Sequence, residues 1–427
     1  MKILIKNANL ISMDDKRPQI EEGIDILVEN DRIVRVDKDI EESADKIIDA
    51  TNKVVMPGFI NTHSHVPMSI FRETVDGYIT QDWLEQRIWP MEDKLTNEDI
   101  YYASLLSCVE MIKTGTTTIN DMYFMTDDII KAAVNTGVRM QTTRTLMDLT
   151  GDGDIRIEEL EKLIKEYTNK EETISFNIGI HGFYTTNAPY IEKCVKLAKK
   201  YNLPIHIHFC ENSKEVEDIK NMYHVSSPVE LIKRYFEDIH VILAHSVKLT
   251  KEEIKELASK NIYVSHCPVS NLKLGCGVAK IIDMDHEGIT VSLGTDGQGS
   301  GSNLDMFETV KFTALLQKGI EENPKYLPAY EVLKMATING AKALGLEKQI
   351  GSVEEGKKAD LIVINLEEAT QKPVNNIFAE IVYNVKGTNV ETTMINGIIL
   401  MEDRTLQRVN EKEIYEKCNQ IIKRIQD

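Results

Sequence analysis

The chain runs to 427 residues, with 50 basic against 68 acidic side chains and a formal net charge of −18. So negative a chain, with no basic run, argues against a nucleic-acid partner, whose phosphates are held by clustered Lys and Arg. At 42% hydrophobic and 28% charged the composition is that of an ordinary globular protein, and the lack of any run of about 18 apolar residues argues against a membrane span.

The opening Met1–Asn7 has neither the apolar stretch nor the small-residue cleavage site of a secretory signal. Lys2–Lys6, Ile24–Val28 and Ile33–Val36 alternate apolar and polar positions as short strands do, with Asn30-Asp31 as a hairpin turn. From about 58 to 349 the pattern changes to short β-type runs alternating with helical stretches, which implies parallel strands joined by crossovers. The first of these helices is delimited by a Thr96/Asp99 capping box, apolar residues from Ile100 to Ile112, and Gly115.

Eight β-type runs lie in this middle region, and each ends in polar residues. Gly58–Thr62 leads into His63-Ser64-His65, Thr116–Asn120 into Asp121, Arg139–Thr143 into Arg144, and Ser175–Ile180 into His181. Pro204–His206 leads into His208, Val241–Ala244 into His245, Ile262–Ser265 into His266, and Thr290–Gly294 into Asp296. Eight such units predict a (β/α)8 TIM barrel over 58–349, with the polar strand ends converging at its C-terminal face. Beyond Gly351, Ala359–Asn365, Ile381–Val385 and Thr393–Leu400 read as strands, with Asn396-Gly397 as a turn, and Glu411–Ile425 as an amphipathic helix. Neither flank can build a good core alone. Residues 1–57 and 350–427 are therefore expected to form one composite β-sandwich domain with a C-terminal helix, giving an α/β chain overall.

Histidines and an aspartate cluster at the predicted rim. Alternation along a strand sends His63 and His65 to one side, and His206-Ile207-His208 repeats the pattern on another strand. A single HxH pair is a weak signal; two of them with His245 and Asp296 on barrel-strand ends point to a metal centre. Imidazoles with one carboxylate suit a divalent ion, most often zinc, with an open position for water. The fourth strand ends in His181 and carries no lysine to bridge a second ion, so one metal per subunit is expected. Glu211, three residues past His208, is placed to move protons at a substrate held against the metal's water. His245 is a candidate to orient or deprotonate that water, and Asp296 both to ligate and to accept a proton. The six cysteines (108, 194, 210, 267, 276 and 418) form no CxxC pair, which excludes thiolate zinc sites and suits a reducing cytoplasm.

These runs, together with Pro57–Thr62, Ser265–Asn271 and Gly294-Thr295-Asp296, resemble the amidohydrolase superfamily, and its deaminase and chlorohydrolase branch most. The resemblance covers essentially the whole chain, Ala336–Ala341 and Gly351–Lys357 included. It implies His63, His65, His208 and Asp296 as ligands of Zn2+, with Fe2+ or Mn2+ as alternatives, Glu211 as proton shuttle, and His245 as the water's partner. It further implies Trp83 as a purine-packing aromatic, Glu92 as a ribose-binding carboxylate, His181 as a base or sugar contact, and Arg144 with Arg156 as the pair holding a homocysteine carboxylate. Glu211 and Asp296 would contact the substrate as well. The implied activity is hydrolysis of a cyclic amidine C–N bond. 5′-Methylthioadenosine and S-adenosylhomocysteine, with adenosine also in range, would be deaminated by a metal-bound hydroxide to the inosine analogue and ammonia. The alternatives are another purine, 5′-deoxyadenosine or a triazine as substrate, or a non-catalytic assembly protein; a homo-oligomer is left open. Glu73, Ser246, Lys248, Cys267 and the glycine-rich loop after Asp296 depart from the family pattern, and none of these departures removes a ligand or Glu211.

Overall fold

A computed structural model describes residues 1–74, 77–78 and 80–426. Five strands open the chain: β1 (Lys2–Leu10), β2 (Glu21–Glu29), β3 (Arg32–Asp37), β4 (Lys46–Asp49) and β5 (Lys53–Pro57). Nine occupy the middle: β6 (Phe59–Ser64), β7 (Thr116–Asp121), β8 (Arg139–Thr142), β9 (Ile174–Phe176), β10 (Ile178–Ile180), β11 (Ile205–Phe209), β12 (Val241–His245), β13 (Ile262–His266) and β14 (Thr290–Leu293). Four close the chain: β15 (Leu361–Asn365), β16 (Val390–Ile395), β17 (Ile398–Glu402) and β18 (Thr405–Leu406).

The two chain ends meet where β15 runs antiparallel to β5, with Leu361 opposite Pro57 and Asn365 opposite Lys53. That pairing merges both flanks into one nine-stranded sheet. Its own core holds Ile3, Ile5, Ile26 and Val28 from the front and Leu361, Val363 and Met394 from the back, so each end supplies apolar surface that the other buries. The Asn396-Gly397 turn joins β16 to β17 with both residues at positive φ, 50° and 67°, as a two-residue hairpin requires. Ile381–Val385 is not a strand. It falls in and just past a helix, Ile377–Tyr383, whose Asn376 side chain caps it by accepting from Ala379 N. Five apolar residues suit either conformation; here the cap starts a helix, and Ile381 and Val382 bury against the barrel's core.

The middle strands form the barrel, all in parallel pairs. β9 and β10 are the two halves of one barrel strand, interrupted at Asn177. Asn177 N donates to Thr142 O (3.1 Å) on the β8 side, and Ile178 N donates to Pro204 O (2.8 Å) on the β11 side. The ring closes between β14 and β6, where Asp296 N donates to His63 O (3.0 Å) and Thr62 Oγ1 shares hydrogen bonds with Ser265 Oγ (2.7 Å) and Ser292 Oγ (2.9 Å). Along β11 the alternation is plain: Ile205, Ile207 and Phe209 join the apolar layer, and His206 and His208 turn to the interior. The helix Asn97–Lys113 starts on the Thr96/Asp99 capping box. Although the sequence groups it with the β flank, the C-terminal helix Glu411–Gln426 packs on this barrel helix through Ile414, Cys418 and Ile421. Lys113–Glu411 (2.6 Å) and Lys417–Glu98 (3.0 Å) ion pairs flank the contact. Among the described residues no helix is long and apolar enough to cross a membrane, and all six cysteines are buried without a disulfide.

One buried ion pair ties sheet to barrel. Arg139, at the start of β8, donates from Nε and Nη2 to both oxygens of Asp360 (2.8 and 3.1 Å), and Asp360 also accepts from Asn396 N (2.8 Å). Arg139→Ala strands a buried carboxylate and is expected to cost about 3 kcal/mol, seen as a lower urea midpoint; an unchanged midpoint would mean that the pair contributes nothing to holding the two parts together.

Candidate functional site

The C-terminal ends of β6, β11, β12 and β14 aim nitrogen and oxygen donors at one point. Nε2 of His65 lies 3.3 Å from Nε2 of His208 and 3.2 Å from Asp296 Oδ1, and Nε2 of His63 lies 3.6 Å from the same oxygen. Donor atoms of His63, His65 and His208 lie within 4.8 Å of one another, and so do those of His63, His245 and Asp296. Each ring is anchored from behind through Nδ1. His65 Nδ1–H donates to Met122 O (2.6 Å), His208 Nδ1–H to His181 O (2.6 Å) and His245 Nδ1–H to Asn271 Oδ1 (2.9 Å). His63 Nδ1 shares a hydrogen bond with His206 Nε2 (2.9 Å). Asp296 is held equally firmly: Ser270 Oγ (2.5 Å) and Ser300 Oγ (2.8 Å) donate to Oδ2, and Gly297 N (2.8 Å) to Oδ1.

The donor set fits a divalent cation. His63 Nε2 is wholly buried and has no hydrogen-bond partner among the described residues, an arrangement that is costly unless the lone pair is used. Burial pushes His63 down to about 3 and His208 well below the usual imidazole range, so both rings present neutral, ligand-competent nitrogens. Burial also opposes charge on His65, but Asp296 overrides it and raises the ring to about 9. Burial would raise Asp296, yet the His63 and His65 rings beside it hold it far below the normal carboxylate range. The close approach of β14 to His63 needs Gly294, where a Cβ would sit 2.8 Å from His63 Cβ.

A pocket opens directly beside this centre, lined by His65, His208, His245, Asp296 and Glu211 at one end. Glu211 follows β11, 8% exposed. Its backbone N and that of Cys210 donate to the Glu215 carboxylate (2.7 and 2.9 Å), which fixes the turn. Burial raises the Glu211 carboxyl above its ordinary value. His181 also lines the pocket, its Nδ1 3.2 Å from Thr185 Oγ1. Trp83 and Glu92 reach the pocket from a helical stretch containing a π-helical turn, Leu84–Ile88. Trp83 is 4% exposed and packs against the glycine-rich loop, where a Cβ on Gly299 would meet its ring at 2.9 Å. Burial raises Glu92 to about 7, against the hydrogen bond donated by Tyr123 OH.

Arg144 and Arg156 stand apart from these groups. Neither lines the pocket; Arg144 Nε donates to Glu159 (2.8 Å) and Arg156 Nε to Asp152 (2.8 Å). His266 is fully buried with both ring nitrogens unpartnered among the described residues, and His286 is exposed. Sequence reasoning read His206 only as half of the second HxH pair and missed that it supports His63; it also missed Asn271 and Ser270, which support His245 and Asp296, and Tyr123, which holds Glu92. The first three lie within motif runs, so proximity to ligands was a usable signal. Tyr123 carries none.

The amidohydrolase family's model matches residues 54–400. A 5-methylthioadenosine/S-adenosylhomocysteine deaminase of Thermoanaerobacter pseudethanolicus is 40% identical over 424 residues, covering 97% of either chain. A 5′-deoxyadenosine deaminase of Methanocaldococcus jannaschii is 41% identical over 427 residues, covering 98% of either. Among solved structures, an adenosine deaminase from Xanthomonas campestris with bound zinc aligns with a TM-score of 0.95 at 27% identity, covering 99% of this chain and 98% of that one.

His206 supports a ligand without facing the centre itself. His206→Leu preserves bulk and deletes the hydrogen bond to His63, so metal affinity is expected to fall about 10- to 100-fold. The readout is metal retained per chain in competition with a chelator, and wild-type retention would show that His63 needs no such support.

Proposed function

This chain belongs to the amidohydrolase family, and we propose that it hydrolytically deaminates 5′-substituted adenosines such as 5′-methylthioadenosine and S-adenosylhomocysteine, releasing ammonia and the inosine analogue. The observation that carries the reading is a buried Glu211, its carboxyl raised by burial, in the same pocket wall as His65, His208, His245 and Asp296. The names of two relatives about 40% identical over nearly the whole chain support the nucleoside class.

His63, His65, His208 and Asp296 would hold the cation, and a borderline ion such as zinc suits three imidazoles and a carboxylate. Such an ion lowers the pKa of its water from about 15.7 to about 7 and so supplies the nucleophile at neutral pH. His245, its Nδ1 engaged by Asn271, turns Nε2 to the centre and orients the attacking water. Glu211 gives its proton to purine N1 as the new C6–O bond forms, and with Asp296 it takes up the proton the water sheds. Returned to the exocyclic nitrogen, that proton lets ammonia leave as the C6–N bond breaks. Trp83 packs on the purine face and His181 contacts the base or sugar. Glu92 accepts from the ribose hydroxyls with the oxygen atoms that Tyr123 leaves available.

Glu211→Gln keeps the shape and removes the proton carrier. Turnover of 5′-methylthioadenosine, followed as loss of adenine absorbance, is expected to fall about 10³-fold with the metal content intact; a near-normal rate would remove Glu211 from the chemistry.

A further inference from the structure

Two cations pack against one wall of the pocket. The guanidinium carbons of Arg144 and Arg156 are 5.4 and 5.6 Å from the Phe124 ring centroid. Nη1 of each reaches towards the carbonyl of Thr145, at 3.4 and 3.5 Å. Phe124 and Thr145 both line the pocket, so the guanidinium pair packs directly against residues of its wall. Each cation is matched by one carboxylate at 2.8 Å, Arg144 by Glu159 and Arg156 by Asp152, and the four-residue cluster carries no net charge. Leu84, Ile88 and Trp89 add apolar lining to the same pocket.

The two acids are not equivalent. Asp152 precedes the helix Gly153–Tyr167, accepts from Thr150 Oγ1 (2.6 Å) as well as from Arg156, and is 33% exposed. Glu159 lies two turns along the same helix, is 50% exposed and has Arg144 as its partner. An ion pair with so exposed a carboxylate is weak. It still places a negative charge on the guanidinium that a substrate's anionic tail would have to reach.

We propose that Glu159 sets the choice of 5′ substituent: by neutralising Arg144 it disfavours nucleosides with a carboxylate tail and favours those with a short uncharged one. The inference rests on the deaminase reading above. A carboxylate drawn to Arg144 must either displace Glu159 or bind close beside it, whereas an uncharged methylthio group or hydrogen has no charge for Glu159 to repel. Selectivity then comes from a repulsive element outside the pocket rather than from added contacts inside it.

The test compares kcat/KM for 5′-methylthioadenosine and S-adenosylhomocysteine in wild type, Glu159→Gln and the Glu159→Gln/Arg144→Ala double variant. Glu159→Gln is expected to move the ratio towards S-adenosylhomocysteine by about fivefold, through KM, with the gain shrinking at high salt and vanishing in the double variant. If both nucleosides are deaminated and the ratio stays where it was, or the gain survives loss of Arg144, Glu159 is not the determinant and the deaminase reading stands. If wild type deaminates neither, that reading falls and the inference with it.

Discussion

Everything in this protein's active face depends on the barrel forcing four imidazole nitrogens and a carboxylate oxygen into one small buried volume. Left to themselves such groups would repel, protonate or seek water. They stay because each ring is tethered through its far nitrogen, two of them to backbone carbonyls that cannot reorient without unmaking the strand ends. The tethers also choose the tautomer: in a neutral ring, donation from Nδ1 leaves the lone pair at Nε2.

That arrangement carries a conformational cost. Cys210, His245, Ser246 and Asp296 all take positive φ, between 50° and 73°, in a region that non-glycine residues seldom adopt. All four sit where a barrel strand ends and its loop begins. Left-handed turns there swing the chain abruptly off the strand, which lets short loops deliver Glu211 and Asp296 to the pocket instead of carrying them past it. The surrounding hydrogen bonds, such as the pair from the Cys210 and Glu211 amides to Glu215, hold those turns in place.

The pocket wall is asymmetric in polarity. Its inner end is crowded with titratable groups; Leu84, Ile88, Trp89 and Phe124 contribute apolar surface elsewhere, and the Arg144 and Arg156 guanidiniums pack on the Phe124 ring. A ligand that is polar at one end and apolar at the other matches this gradient. The two guanidiniums, paired with acids rather than open to the pocket, make electrostatic complementarity to an anionic tail conditional rather than built in.

The order of strands and helices, the eightfold repeat and the clustering of histidines at strand ends could all be read from local patterns, because period-two alternation and capping signals act over a few residues. The same holds for the Asn30-Asp31 and Asn396-Gly397 turns. Tertiary structure decided what depends on partners far apart in sequence. Ile381–Val385 belongs to a helical stretch because a cap and a packing surface outvote an ambiguous apolar run, and the C-terminal helix leaves the sheet to cover a barrel helix. His206 became a brace for His63, and Arg144 took the Glu159 carboxylate from the helix that follows it. Short-range steric preference is written into consecutive residues; which buried charge faces which is settled only when remote segments compete for the same space.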